Sequence, residues 1–238
     1  LSRCFVELGG NDPLIIFDDA DLDTAVTEAI NGRIVHAGQA CCSSKRFIVQ
    51  ENIYDEFAGR LTERLKGMKI GDPLDQGSRI GPLINERAAQ RVEEIVDRTI
   101  KAGAYCLCGG RRFGGNFFEP TVLTGVTPAM DIAQNLEVFG PVFPLIKFKT
   151  EEQAVAIADN CTYGLSSGVI SGEVQRAIRV ARQLDAGNCT INGTGLYRTH
   201  DMPFGGHRKS GLGTEGLYAT LDEFTKTKTY VWKGAAIG

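Results

Sequence analysis

The sequence has no apolar run approaching the roughly 18 residues a membrane-spanning helix needs. It has no excess of either charge: 26 Lys and Arg stand against 29 Asp and Glu, a net charge of −3. That balance excludes a general attraction to nucleic acid or to an anionic membrane surface. No internal repeat or low-complexity segment is present, and histidine is scarce, with 3 in 238 residues. The chain opens on Leu1-Ser2-Arg3-Cys4 with neither an initiator Met nor a signal peptide, so it is expected to be an internal piece of a longer protein. Its 7 cysteines are odd in number, widely spread, and set in a chain long enough for a core without staples. This pattern points to a reducing, cytoplasmic setting. A hydrophobic content of 42% with 23% charge is that of a soluble globular protein of one large or two small domains.

What is present is an alternation of helical and strand-like segments. Asp18-Asp19-Ala20-Asp21-Leu22-Asp23 starts like a calcium loop, but Thr24 and Ile30 stand where that loop needs glycine and glutamate. Acids capping a helix are the better reading. That helix spans Leu22 to Ala37, with Val26, Ile30 and Ile34 at spacing four and Asn31-Gly32 as a candidate break. A second helix, capped by Asn52, carries the stripe Ile53, Phe57, Leu61, Leu65 and Met68 and stops at Gly71-Asp72-Pro73. A third starts at Asn85 and ends at Gly103. Phe47-Ile48-Val49, Ala104 to Cys108, Phe117 to Leu123 and Val142 to Phe148 have strand character. Helix Glu151 to Asp159, strand Leu165 to Ile170, helix Glu173 to Leu184 and strand Asn188 to Ile191 then alternate. This order predicts an α/β fold, a mainly parallel sheet flanked by helices. Phe224 to Val231 alternates with threonine on one side and predicts a last strand, at an edge or in a subunit interface.

Chemistry concentrates in a few segments. Gly38-Gln39-Ala40-Cys41-Cys42-Ser43-Ser44-Lys45-Arg46 lies between a helix and a strand, where a loop can hold a side chain out of the packed layers. A thiol there is a strong nucleophile once ionised, but an unperturbed one needs help at neutral pH. The same residues also fit two small cysteines packed as apolar groups. Glu7, in Val6-Glu7-Leu8-Gly9-Gly10, is a carboxylate placed before two glycines, 34 residues ahead of Cys41. Glu137 and Phe139 precede the Gly140-Pro141 break, which is also an ordinary turn into a strand. Asn192 to Gly216 is a long polar, glycine-rich loop containing Tyr197, Arg198, His200 and His207, and such loops are functional or disordered. Gly211, Gly213 and Gly216 match G-x-G-x-x-G, but a polar loop rather than a strand precedes them, so no dinucleotide fingerprint is assigned. Cys106-x-Cys108 has no second cluster of ligands near it and reads as one face of a strand, with no metal.

E-L-G-G at Glu7 and G-Q-x-C at Cys41, in this order and at this distance, resemble the aldehyde dehydrogenase superfamily. Downstream, Glu137 to Pro141 resembles that family's E-x-F-G-P segment. Pro203-Phe204-Gly205-Gly206 with Ser210-Gly211 resembles its P-F-G-G-x-K-x-S-G segment, with Arg208 in place of Lys. Asn11 departs from the Lys often seen after E-L-G-G. The resemblance covers essentially the whole chain but only the C-terminal half of a family member. It implies a junction segment from a cofactor domain at 1–11, a catalytic domain at 12–205, and a tail with an oligomerisation strand at 206–238.

The resemblance further implies oxidation of a small aldehyde to the acid with NAD or NADP. Cys41 would be the nucleophile and Glu7 the general base. Glu137, Phe139 and Gly9 would meet the cofactor, and Arg198 and Phe204 the substrate. The full-length protein would be a homodimer or homotetramer, with no nucleic-acid or membrane partner. The G-G-N-D-P and C-C-S-S-K-R-F variants look most similar to bacterial succinate-semialdehyde dehydrogenase-like members, which implies a small anionic semialdehyde. A relative that passes the thioester to coenzyme A, lactaldehyde-type or aromatic-aldehyde members, and a lens-type structural relative are the alternatives. Retained Glu7 and Cys41 argue against the first and the last.

Overall fold

A computed structural model describes residues 4–234 of the chain. Residues 1–3 of the expected junction and 235–238 of the expected tail lie outside the described residues. A seven-stranded sheet runs, edge to edge, Asn188–Ile191, Ser166–Ile170, Asp12–Ile16, Ser44–Gln50, Val142–Phe148, Thr121–Val126 and Tyr105–Cys108. Neighbours are parallel except the last pair, which is antiparallel. Leu14, Ile15, Ile16, Phe47, Ile48 and Val49 have no solvent exposure, because helices cover both faces of the central strands. A parallel sheet covered on both faces favours continuous apolar runs over alternation, and these strands are written that way. The expected α/β architecture is the one observed.

The helices are α1 (Leu22–Ile34), α2 (Tyr54–Lys66), α3 (Glu86–Lys101), α4 (Glu151–Asp159), α5 (Val174–Ala181) and α6 (Leu217–Phe224). Asp21 caps α1 by accepting from the Thr24 N–H at 2.8 Å, and Asn85 caps α3 by accepting from Ala88 N–H at 2.9 Å. The expected Asn52 cap is not made. Asn52 donates to Asp18 Oδ2 at 2.8 Å, and α2 starts after Ile53 without a side-chain cap. Asn31-Gly32 does not break α1. Gly32 lies against Thr194, and the helix continues to Ile34 before a 3₁₀ turn, Val35–Gly38. Phe117 to Leu123 is two strands rather than one, Phe117–Phe118 in a hairpin with Arg112–Phe113, and Thr121–Val126 in the sheet. Pro120 separates them, since proline brings no N–H to a ladder.

The expected last strand is not formed within the described chain. Phe224 ends α6, and residues 225–233 form no strand and lie exposed. A strand needs a neighbouring edge to exchange hydrogen bonds with, and none within the described chain meets this segment. The tail does return to the start of the chain: Gly211–Leu212 pairs antiparallel with Val6–Glu7. Of the glycines in the formal G-x-G-x-x-G match, Gly211 and Gly213 lie against Val6 and Phe5 and serve this close pairing, whereas Gly216 lies against the Met202 carbonyl. Among the described residues no group of three or more His, Cys, Asp or Glu is placed to hold a metal ion, and no helix is long and apolar enough to cross a membrane.

Candidate active site

The Cys41 loop follows a left-handed stretch in which His36, Ala37 and Gly38 all have positive φ. At Gly38, a Cβ would lie 2.3 Å from the carbonyl oxygen of Gly140, so only glycine permits this contact between the cysteine loop and the Glu137–Pro141 segment. Gln39 accepts from Ile84 N–H at 2.8 Å and fixes the loop on its other side. The Cys41 thiol then faces Glu7, with Sγ donating to Oε1 at 3.1 Å. Glu7 is held from the tail: Leu8 N–H donates to the Ser210 carbonyl at 2.9 Å, and Ser210 Oγ donates to the Gly9 carbonyl at 2.7 Å.

The Cys42 thiol, partial burial and the Glu7 carboxylate together push the Cys41 thiol well above its ordinary pKa. In this arrangement the thiol is a protonated donor poised beside a carboxylate acceptor. Cys42 is half-buried next to it and interacts with it directly.

Glu137, Phe139 and Gly9 also converge. Glu137 Oε1 accepts from Gly10 N–H at 2.9 Å. A Cβ at Gly9 would lie 2.2 Å from Glu137 Oε2, so the absence of a side chain there is a condition of the carboxylate's position. Phe139 is 40% exposed. Glu137 and Phe139 line a cleft of about 530 Å³ together with Leu136, Asn135 and the Arg87 and Arg91 face of α3.

Arg198 and Phe204 meet each other. The guanidinium lies 4.0 Å from the centroid of the Phe204 ring and donates from Nη2 to Glu215 Oε1 at 2.6 Å. Phe204 is buried, and it shares with Glu7, Phe5 and Leu212 the wall of a second cavity of about 280 Å³. Arg208, in the place of the expected Lys, donates to the Cys161 carbonyl at 2.7 Å and the Asp159 carbonyl at 3.0 Å, so it ties the tail to the end of α4.

Four charged residues beneath the loop were not singled out from sequence: Arg33, Lys45, Arg46 and Asp12, all buried. Buried charge is tolerated only when paired or fully hydrogen-bonded. Arg33 donates to the carbonyls of Val142 at 2.9 Å and Val138 at 2.8 Å and to Ser43 Oγ at 3.0 Å. Arg46 donates to the carbonyls of Asn11 at 2.6 Å, Ile157 at 2.9 Å and Ala158 at 2.7 Å. Burial pushes Arg33 down to about 9 and raises Asp12 to about 6, with Lys45, Ser166 and Arg46 opposing the rise at Asp12. The available signal was Lys45-Arg46 set directly before the apolar run from Phe47, where charge has no place unless it is partnered.

The match to known proteins follows this geometry. The Aldehyde dehydrogenase family matches residues 1–230. A sulfoacetaldehyde dehydrogenase of Neptuniibacter caesariensis is 39% identical over 96% of this chain and 50% of the relative. An NADP(+) succinate-semialdehyde dehydrogenase of Deinococcus radiodurans is 44% identical over 96% of this chain and 48% of the relative. A crystal structure of an NAD-dependent aldehyde dehydrogenase from Sinorhizobium meliloti superposes with a TM-score of 0.91 at 39% identity, covering 98% of this chain and 48% of that one. The chain thus spans about half the length of the curated relatives it matches. With its motifs, its sheet and its family match in agreement along nearly its full length, the chain belongs to the aldehyde dehydrogenase family.

Proposed function

We propose that this chain is the catalytic half of an enzyme that oxidises a small anionic aldehyde, such as succinate semialdehyde, to the carboxylic acid with NAD or NADP. The observation that carries the reading is the 3.1 Å contact between Cys41 Sγ and Glu7 Oε1. Once the thiol proton has passed to solvent, sulfur attacks the carbonyl carbon, and the C=O π pair moves to oxygen as the C–S bond forms, leaving an oxyanion. The Cys41 backbone N–H makes no hydrogen bond among the described residues and is available to that oxyanion, an interaction of large effect in acyl chemistry. The dinucleotide, when bound, supplies the acceptor for the hydride whose departure turns the adduct into a thioester. Glu7 then takes a proton from water, which attacks the thioester carbon, releases the acid and frees the Cys41 sulfur. Two easier steps replace one hard one.

The residues present fit a dinucleotide at one end only. Gly9 leaves the space that Glu137 occupies, and Glu137 and Phe139 border an open cleft. Glu137 would accept from ribose hydroxyls and Phe139 would lie beside the ring. Arg198 has one arm of its fork on Glu215, and the remaining donors suit a carboxylate on the substrate. Phe204, under the guanidinium, would hold it in place. A homodimer or homotetramer of the full-length protein, joined through the exposed segment 225–233, completes the reading.

The test is NAD(P)H formation by the full-length protein, with succinate semialdehyde and uncharged aldehydes, with and without coenzyme A. Reduction independent of coenzyme A, with free acid as product, is expected. An absolute requirement for coenzyme A would replace this reading with the acylating one, and no reduction with any aldehyde would end it.

A further inference from the structure

We infer that Lys45 is a positioning residue that couples the nucleophile loop to Glu137 in the cofactor cleft, an inference resting on the function proposed above. Lys45 is buried, and four oxygens surround its ammonium. It donates to the carbonyls of Cys41 at 2.5 Å, Ala40 at 3.0 Å and Ser43 at 3.3 Å, and it lies 3.4 Å from Glu137 Oε1. Its nitrogen is also 5.5 Å from the centroid of the Phe139 ring. One cation therefore meets the backbone of Cys41 itself, the Glu137 carboxylate and, at cation–π distance, the Phe139 ring, two of the side chains that line the cleft.

The three buried cations differ in this respect. Arg33 and Arg46 spend their donors on backbone carbonyls, with Ser43 Oγ in addition for Arg33, and so brace the fold. Lys45 is the one of the three within ion-pair distance of a carboxylate on the cleft. An ammonium has only three N–H donors, and here four oxygens compete for them. A shift of Glu137 toward or away from Lys45 must therefore redistribute the donors held by the Cys41 loop. Glu137 Oε1 is engaged by Gly10 N–H and by Lys45, whereas Oε2 accepts no hydrogen bond among the described residues and is left for a ligand hydroxyl. Without the ammonium, Oε1 keeps only the Gly10 contact and the carboxylate is free to turn. Burial works against the charge on Lys45, and the carboxylates of Asp12 and Glu137 work to keep it, with Arg33 opposing them. A neutral residue of similar length would fill the space but lose the link.

The experiment is a double-mutant cycle on the full-length protein: wild type, Lys45→Met, Glu137→Gln and the double variant, each checked by thermal unfolding. The first readout is the dissociation constant of the dinucleotide by equilibrium titration, which needs no turnover. Lys45→Met is expected to weaken binding by about tenfold in the wild-type background, the scale of one hydrogen bond to a charged group. In the Glu137→Gln background the same change should have an effect below about twofold, the non-additivity expected of residues in one network. The second readout is alkylation of Cys41 by iodoacetamide without dinucleotide. Removing a cation disfavours the thiolate, so Lys45→Met should slow it by about threefold or more. Equal effects of Lys45→Met on binding in both backgrounds, or unchanged alkylation, would overturn the coupling. Lys45→Gln, which keeps a donor without the charge, runs through the same cycle if the Met variant does not fold. Failure of the wild type to reduce any dinucleotide would refute the proposed function, while the alkylation readout still decides what Lys45 does to the loop.

Discussion

Replacing Glu7 by Gln should make Cys41 more reactive toward a thiol reagent while making the enzyme slower. The two groups are 3.1 Å apart. At that separation two unit charges repel by about 1.3 kcal/mol even at the dielectric of bulk water, about one pKa unit. Bulk water is the appropriate limit because Glu7 is exposed. Removing the carboxylate's charge thus raises the thiolate fraction about tenfold at a pH below the thiol pKa, and the less basic sulfur gives back about threefold in intrinsic nucleophilicity. The net expectation is roughly three- to fourfold faster alkylation of Cys41 by iodoacetamide at neutral pH, followed by mass spectrometry of the Cys41 peptide. Thioester hydrolysis should move the other way, falling by ~10² to 10⁴ for loss of the base. Pre-steady-state traces should then show a surviving burst of NAD(P)H ahead of a slow steady state. Slower alkylation in Glu7→Gln, together with loss of the burst, would mean that Glu7 activates the thiol rather than the water, and the division of labour argued above would be wrong.

Cys41→Ser should remove nearly all dehydrogenase activity and Cys42→Ser should leave most of it, as measured by NAD(P)H formation; equal losses would sink the assignment of the nucleophile. Arg198→Ala should raise KM for succinate semialdehyde at least about tenfold more than KM for an uncharged aldehyde of similar length, the scale of a charge-assisted bidentate contact. Equal changes would return Arg198 to its surface pairing with Glu215. Burial raises Asp12 from 3.8 to about 6, so the folded state holds this proton longer than the unfolded state does. Its contribution to stability is therefore greatest below the unfolded value and declines as pH rises from about 4 through about 6. Asp12→Asn abolishes that titration, so urea unfolding at about pH 4.5 and about pH 7 should show the variant gaining on wild type with pH, by about 3 kcal/mol at most. A pH-independent difference would show that Lys45 and Arg46 keep Asp12 ionised throughout.

Much of this protein was decided within short stretches of chain. The caps at Asp21 and Asn85 and the strand Val142–Phe148 depend on hydrogen bonds and periodicities that span a few residues, so they were legible in sequence. Cys41 and Glu7 could be singled out for a similar reason: each sits in a compact motif whose glycines and breaks are local. Their contact was not, because Glu7 is held by Ser210 and by Gly211–Leu212, some 200 residues along the chain. Asn52 shows the same limit in reverse, since a plausible cap was taken instead by Asp18 across 34 residues. The segment 225–233 has the alternation of a strand, yet strand formation depends on an edge that this chain does not bring to it. The buried charges are the clearest case. Whether Lys45 is a solvated surface group or the ammonium under the Cys41 loop depends on carbonyls from its own loop and a carboxylate from Glu137, 92 residues away in the sequence. Periodicity and capping are settled between near neighbours, whereas the cost of burying a charge is met only by partners that the tertiary fold delivers.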